Sequence, residues 1–170
     1  VRMPRPRQSG RHRKPEPLTV PEGAPALVLA VPGMPSGATR AIAEEVISLV
    51  RAELTGLDAR IGYLDGPGGE FPGIPEVLEQ TASERGDNSK SAVVVPLLAG
   101  PEPSVERRLR QVIVESPASV ELTEVLGPHP LLAEALHVRL SEAGLARADR
   151  ARLFTVATAA DGIVLATIGG

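Results

Sequence analysis

The sequence contains no cysteine, no tryptophan and only three aromatic residues, Tyr63, Phe71 and Phe154. The absence of cysteine excludes disulfides, thiolate metal ligands and cysteine nucleophiles. The scarcity of aromatic side chains leaves no platform on which nucleic-acid bases could stack. We therefore expect a core of Val, Leu, Ile and Ala and no nucleic-acid partner.

Long apolar runs and histidines are scarce as well. No apolar run approaches the roughly 18 residues of a membrane span, and the basic residues near the N-terminus precede no apolar segment of the signal-peptide kind. We therefore expect a cytoplasmic protein with no membrane partner. The imidazoles that could bind a metal or move a proton are limited to His12, His129 and His137.

What is present indicates one globular domain with a tail. The chain has 170 residues, of which 42% are hydrophobic and 23% charged, enough to bury a real core. Basic residues cluster before the first acid, Glu16, so the remainder of the chain is distinctly acidic. We predict a disordered, basic and proline-rich tail over residues 1–24, an α/β domain over 25–145, and a connection with a final strand over 146–170.

The order of apolar runs and helical patterns predicts an α/β sandwich with a mostly parallel sheet. The apolar run at residues 26–31 enters a Gly/Pro turn, and a helical pattern begins at Ser36, a good N-cap. Further strands are predicted at residues 59–64, 92–98, 119–125 and 163–168. Ligands of such sheets lie at the carboxyl ends of the strands, so the loop at residues 32–36 is the first candidate site.

Two further features of the sequence bear on function. Three arginines, Arg107, Arg108 and Arg110, lie in the helix predicted after the third strand; they could hold a carboxylate or phosphate, although a solvated helix face is the commoner interpretation. The segment IVLATIGG at residues 163–170 is similar to LVLAVPG at residues 27–33, which suggests a second, similar half.

Three segments carry a family resemblance: GYLDG at residues 62–66, VVVPLLAG at 93–100, and LGPHPLLAEALHVRLSEAG at 126–144. Over roughly residues 26–145 the chain resembles the sirohydrochlorin cobaltochelatases and ferrochelatases of the cobalamin and siroheme pathways. The resemblance implies a three-layer, chelatase-like (flavodoxin-like) sandwich. It also implies a tetrapyrrole partner of the sirohydrochlorin kind, Co²⁺ or Fe²⁺ as substrate with no permanently bound cofactor, and a second homologous half or a homodimer partner.

The same resemblance implies histidines that this chain lacks. The family places one histidine after the first strand and one after the third, to accept pyrrole protons and hold the metal. Here Pro32 and Ser104 occupy those positions, and Ile168 occupies the equivalent position in the repeated strand. We therefore expect metal insertion to be reduced or lost in this chain.

The remaining candidates lie in the loops at the predicted carboxyl edge. Candidates for the substrate cleft are Pro32, Gly33, Met34, Ser36, Gly100 and Ser104. Weak candidates for metal binding are Asp65, Glu102 and His129, and His129 is also the weak catalytic candidate. The alternative for His129 is a helix-start residue, and for the two acids it is a solvated loop position.

Three functions stay open on the sequence. The first is a chelatase that uses a displaced set of metal ligands. The second is a non-catalytic domain that binds a tetrapyrrole or acts as a regulatory or interaction partner. The third is a generic flavodoxin-like binder of a flavin or nucleotide, which the spacing of VPGMPSG at residues 31–37 does not favour because it lacks a phosphate-binding fingerprint.

Overall fold

The computed structural model describes residues 18–86 and 90–144. Most of the predicted tail and the predicted strand at residues 163–168 lie outside these ranges, as does the whole predicted segment 146–170. No helix within the described ranges is long and apolar enough to cross a membrane.

Strands and helices alternate along most of the described chain as predicted, with two additional two-residue strands that the sequence did not predict. In order they are β1 (Leu18–Thr19), β2 (Ala26–Val31), α1 (Gly37–Glu53), β3 (Leu54–Thr55), β4 (Ala59–Tyr63), α2 (Ile74–Arg85), β5 (Ala92–Pro96), α3 (Pro103–Glu115), β6 (Val120–Leu122) and α4 (Pro130–Glu142). The main sheet has the strand order β4-β2-β5-β6, and every neighbouring pair in it is parallel. The prediction of a parallel sheet is confirmed.

The central strand β2 is buried because it pairs on both sides. Leu29 lies opposite Ile61 of β4 and opposite Val95 of β5. Side chains alternate between the two faces of a strand, so Val28 packs toward α2 and α3 while Leu29 packs toward α1. Helices on both faces of a parallel sheet give the three-layer sandwich that the sequence predicts.

The three strands of the main sheet that follow β2 in the sequence end earlier than predicted, and β5 shows why. Pro96 has no N–H group to continue the ladder. Beyond it, Leu97 N still donates to Ala30 O at 2.9 Å, but Leu98 N turns back to Pro96 O at 2.9 Å. The chain therefore leaves the sheet at Pro96 rather than at residue 98.

The two ends of the described chain differ from the core in packing. Leu18 and Thr19, inside the predicted tail, form β1 and pair in parallel with Leu54 and Thr55 of β3. At the other end, the predicted helix after residue 129 is present as α4, yet none of its residues is buried. Its apolar stripe, which consists of Leu132, Leu136 and Leu140 at helical spacing, therefore contributes little to the core in the described part of the chain.

Candidate functional site

Four loops follow the parallel strands and share one edge of the sheet. They connect β2 to α1 (residues 32–36), β4 to α2 (64–73), β5 to α3 (97–102) and β6 to α4 (123–129); together we call them the rim. From β2 the chain moves outward to β4 and then returns past β2 to β5. The switch of direction lies between β2 and β5, the position where ligands bind in open α/β sheets.

The β2–α1 loop presents small and apolar groups to this position. Ser36 caps α1: Thr39 N donates to Ser36 Oγ at 3.2 Å, and Ser36 N donates to Thr39 Oγ1 at 2.9 Å. The predicted N-cap is confirmed, and the Ser36 hydroxyl serves the helix. Pro32 is half-buried, Gly33 has a φ of +74°, and the Met34 side chain is 78% exposed. Pro32 and Met34 are thus the apolar contacts that this loop offers a ligand.

The β5–α3 loop holds its polar groups in local hydrogen bonds. Ser104 Oγ donates to Glu102 Oε1 at 2.8 Å, and Glu102 N donates to Glu106 Oε1 at 3.1 Å. Gly100 lies one turn earlier, half-buried. The Glu102 carboxylate is therefore engaged by the first turn of α3.

Gly127 allows the β6–α4 loop to pack closely against the β5–α3 loop. A Cβ atom on Gly127 would lie 2.0 Å from Ala99 O, so no other residue fits there without a backbone shift. Nearby, Leu126 N donates to Leu98 O at 3.0 Å. The sequence carries no signal for this contact, because no local pattern identifies Ala99 as the neighbour of Gly127.

His129, at the end of the same loop, is the N-cap of α4. Its Nδ1 accepts a hydrogen bond from Leu131 N at 3.2 Å, and the residue is exposed. One ring nitrogen is thus used by the helix. The helix-start interpretation accounts for this geometry, while a catalytic role for His129 stays a prediction.

The glycine-rich β4–α2 loop is held from both faces of the sheet. Asp65 accepts from Arg108 of α3, with Arg108 Nη1 3.4 Å from Asp65 Oδ2 and Nη2 bonded to Oδ1. On the other face, Arg40 of α1 bonds to Glu70 of this loop and, through Nε at 2.7 Å, to Glu44. The carboxylate of Asp65 holds the Arg108 pKa above its usual value. Sequence reasoning named Asp65 and Arg108 separately but had no signal for their pairing.

The metal candidates of the rim do not form a constellation. Within residues 18–86 and 90–144, no three or more His, Cys, Asp or Glu side chains gather where they could hold a metal ion. Asp65 is paired with Arg108, Glu102 accepts from Ser104, and His129 caps α4. What the rim assembles instead is an open edge with apolar contacts at its centre and arginine–carboxylate pairs around it.

The comparisons with known proteins agree with this architecture. The sequence profile of the CbiX family matches residues 26–143, more than two thirds of the chain. The chain belongs to the CbiX family. The resemblance to the chelatases of the cobalamin and siroheme pathways is thereby confirmed at the level of family. No curated protein sequence matches the chain.

A CbiX structure shares the fold. The crystal structure of a cobalamin (vitamin B12) biosynthesis CbiX protein from Marinobacter aquaeolei VT8 superposes with a TM-score of 0.51 at 19% sequence identity. The match covers 70% of this chain and 97% of that one. The profile match begins at the first residue of β2 and ends just beyond α4, so the CbiX segment contains the main sheet and all four rim loops.

Proposed function

We propose that this CbiX-family chain binds a sirohydrochlorin-like tetrapyrrole at the rim and inserts Co²⁺ or Fe²⁺ into it slowly or not at all. Membership of the CbiX family supports a chelatase-like role in cobalamin or siroheme biosynthesis. The proposal is more specific than membership of the family, because it predicts tetrapyrrole binding without rapid metal insertion.

The observation that carries the proposal is the identity of two residues on either side of the switch point. Pro32 follows β2, and Ser104 is the second residue of α3 after β5; the family resemblance places histidines at these two positions. Metal insertion requires a base for the pyrrole protons and a donor for the incoming ion, and a neutral imidazole suits both tasks. A pyrrolidine ring can do neither, and a serine hydroxyl is a poor substitute.

Tetrapyrrole binding depends on different properties. A flat macrocycle is held mainly by the shape of a cleft and by apolar contact, with a few polar groups that fix its orientation. Pro32 and Met34 supply apolar contact at the centre of the rim. Binding can therefore persist where insertion does not.

The test is an anaerobic titration and insertion assay with the purified 170-residue chain. We expect sirohydrochlorin to bind saturably, as measured by its absorbance, while the rate of Co²⁺ insertion stays near the uncatalysed rate. The double variant Pro32→His/Ser104→His is expected to raise the insertion rate by at least tenfold, within the range that a positioned general base contributes.

A matched control tests whether the positions of the two added histidines matter or only their number. The variant Pro35→His/Pro101→His adds two imidazoles close to Pro32 and Ser104, at positions that the proposal does not assign to tetrapyrrole contact, and is expected to leave insertion unchanged. Rapid Co²⁺ insertion by the wild-type chain, lost in His129→Ala, would refute the proposal and identify His129 as a relocated catalytic residue. Absence of sirohydrochlorin binding would favour a partner-binding or regulatory role instead.

A further inference from the structure

The Arg108–Asp65 pair connects α3 with the β4–α2 loop of the rim. Asp65 follows β4, Arg108 lies in the second turn of α3 after β5, and β2 runs between those two strands. The bridge therefore spans the carboxyl end of β2, beside the switch point. Leu64 precedes Asp65 in the sequence, and Val105 lies one turn before Arg108 in α3. Both pack against the core on the side of the sheet that α2 and α3 cover.

Both side chains of the pair are partly exposed, so a ligand carboxylate could replace Asp65 as the partner of Arg108. The Arg108 side chain is 52% exposed and that of Asp65 is 29% exposed. Ion pairs this close to solvent contribute little to stability, so a competing carboxylate can displace Asp65 at small cost. Arginine suits such an exchange because its planar guanidinium binds carboxylates through two parallel hydrogen bonds.

Arg40, the other arginine that bonds to the β4–α2 loop, is less available. Arg40 bonds to two carboxylates, Glu44 on its own helix and Glu70 on the β4–α2 loop, and its side chain is 38% exposed. To bind a ligand it would have to leave both partners. Arg108 has a single carboxylate partner among the described residues and is the more exposed of the two.

We propose that Arg108 selects for polycarboxylate tetrapyrroles by binding a peripheral carboxylate of the ligand. In the absence of the ligand, Asp65 is hydrogen-bonded to the Arg108 guanidinium in its place. This inference rests on the proposed function, because it names a specificity residue for the same rim. The ligand carboxylate takes the place of Asp65 on Arg108, and the freed Asp65 carboxylate turns to solvent. Asp65 thus acts as an internal competitor.

The test compares two probes with the same macrocycle and different charge. The 170-residue chain is titrated with uroporphyrin, which carries eight carboxylates, and separately with mesoporphyrin, which carries two. Binding is measured by porphyrin fluorescence. Arg108→Gln is expected to weaken uroporphyrin binding roughly tenfold, the loss typical of a hydrogen bond to a charged group. Asp65→Asn is expected to strengthen it several-fold, because it removes the competitor. Mesoporphyrin binding should change less than twofold in both variants.

The opposite signs of the two variants distinguish exchange from a structural brace. If the pair only held the loop in place, Arg108→Gln and Asp65→Asn would both weaken binding, which would overturn the inference. The gain from Asp65→Asn should also vanish in the Arg108→Gln background, as a double-mutant cycle measures. Lys90→Gln, which removes one positive charge at the opposite edge of the sheet, is the control and should leave both affinities unchanged.

Two further outcomes keep this inference apart from the proposed function. If the wild-type chain binds sirohydrochlorin and uroporphyrin but Arg108→Gln binds them equally well, only the role of Arg108 is refuted. If the wild-type chain binds no tetrapyrrole, the proposed function fails and the inference fails with it. Should Arg108→Gln prove unfolded by circular dichroism, Arg108→Lys retains the charge without the bidentate geometry and is expected to weaken uroporphyrin binding by a smaller factor.

Discussion

The two edges of the main sheet carry the same kind of ion pair in different surroundings. At the amino edge, Asp58 accepts from Arg60 at 2.9 and 3.0 Å and from Arg85 at 2.7 Å. The two guanidinium side chains are 22% and 17% exposed. At the carboxyl edge, Asp65 meets one arginine, Arg108, whose side chain is more than half exposed.

This difference indicates that the ion pairs at the amino edge stabilise the fold more than the pair at the carboxyl edge does. Charges attract more strongly where water is partly excluded, and a carboxylate shared by two arginines remains paired when either one moves. Hydrogen bonds from Arg60 and Arg85 accordingly hold the Asp58 pKa below its usual value despite partial burial. The two arginines at the amino edge are thus less exposed than Arg108 and share one carboxylate, which makes this edge the more firmly braced of the two.

The backbone of the carboxyl edge is nevertheless tightly fitted, and its disruption gives the largest expected effect. Gly127→Ala places a Cβ atom against Ala99 O and should lower the free energy of unfolding by at least about 2 kcal/mol. Gly100→Ala is the matched control, because a Cβ there meets nothing within 4 Å, and it should cost no more than about 0.5 kcal/mol. Urea unfolding measures both; equal losses would contradict the close packing of the two loops.

The second effect tests the brace at the amino edge. Asp58→Asn keeps the shape of the side chain but removes the charge that Arg60 and Arg85 share. We expect the free energy of unfolding to fall by about 1 kcal/mol, the upper end for pairs that solvent still reaches. A loss below about 0.3 kcal/mol would show that the amino edge is no better braced than an ordinary surface.

The third effect is the pH dependence of that brace. Because the folded-state pKa of Asp58 lies below its unfolded value of about 3.8, its contribution is present above that pH and is lost as the pH falls through the lower folded value. The gap in unfolding free energy between wild type and Asp58→Asn should therefore be constant from pH 7 to about pH 5 and shrink below about pH 4. A gap that widens on acidification would reverse the assigned sign.

The smallest effect is expected at the carboxyl edge. Asp65→Asn should change the free energy of unfolding by no more than about 0.5 kcal/mol, because Arg108, its one arginine partner among the described residues, is half exposed. The comparison with Asp58→Asn is direct, since both variants remove one aspartate charge next to β4. A loss at Asp65 as large as that at Asp58 would break the distinction between the edges.

Much of the fold is readable in local patterns. The apolar run at residues 26–31 predicts β2 to the residue, and Ser36 at the start of the helical spacing predicts the cap of α1. These features depend on neighbours within a few residues, such as Thr39 for Ser36. Burial of α4 was not predictable in this way, because an apolar stripe states which face could be covered but not whether anything covers it.

The candidate site was predictable only in part. The sequence placed Pro32, Ser104 and the rim loops at one edge, because parallel strands bring their carboxyl ends together. It named Asp65 as a metal candidate, whereas the structure pairs this carboxylate with an arginine. Asp65 and Arg108 are 43 residues apart, and no spacing rule connects positions so distant.

The resemblance of three segments indicated the family of this protein. By itself, the amino-acid sequence also determined the order of its main strands and helices and its parallel sheet. These follow from periodicity, turn residues and capping, which act over a few residues and are therefore visible in the linear pattern. Only the tertiary structure decided that Gly127 packs on Ala99 and that Arg108 spans the end of β2 to reach Asp65. Such contacts arise when the strand order β4-β2-β5-β6 juxtaposes distant loops, and that order depends on the packing of the whole sheet rather than on any one segment.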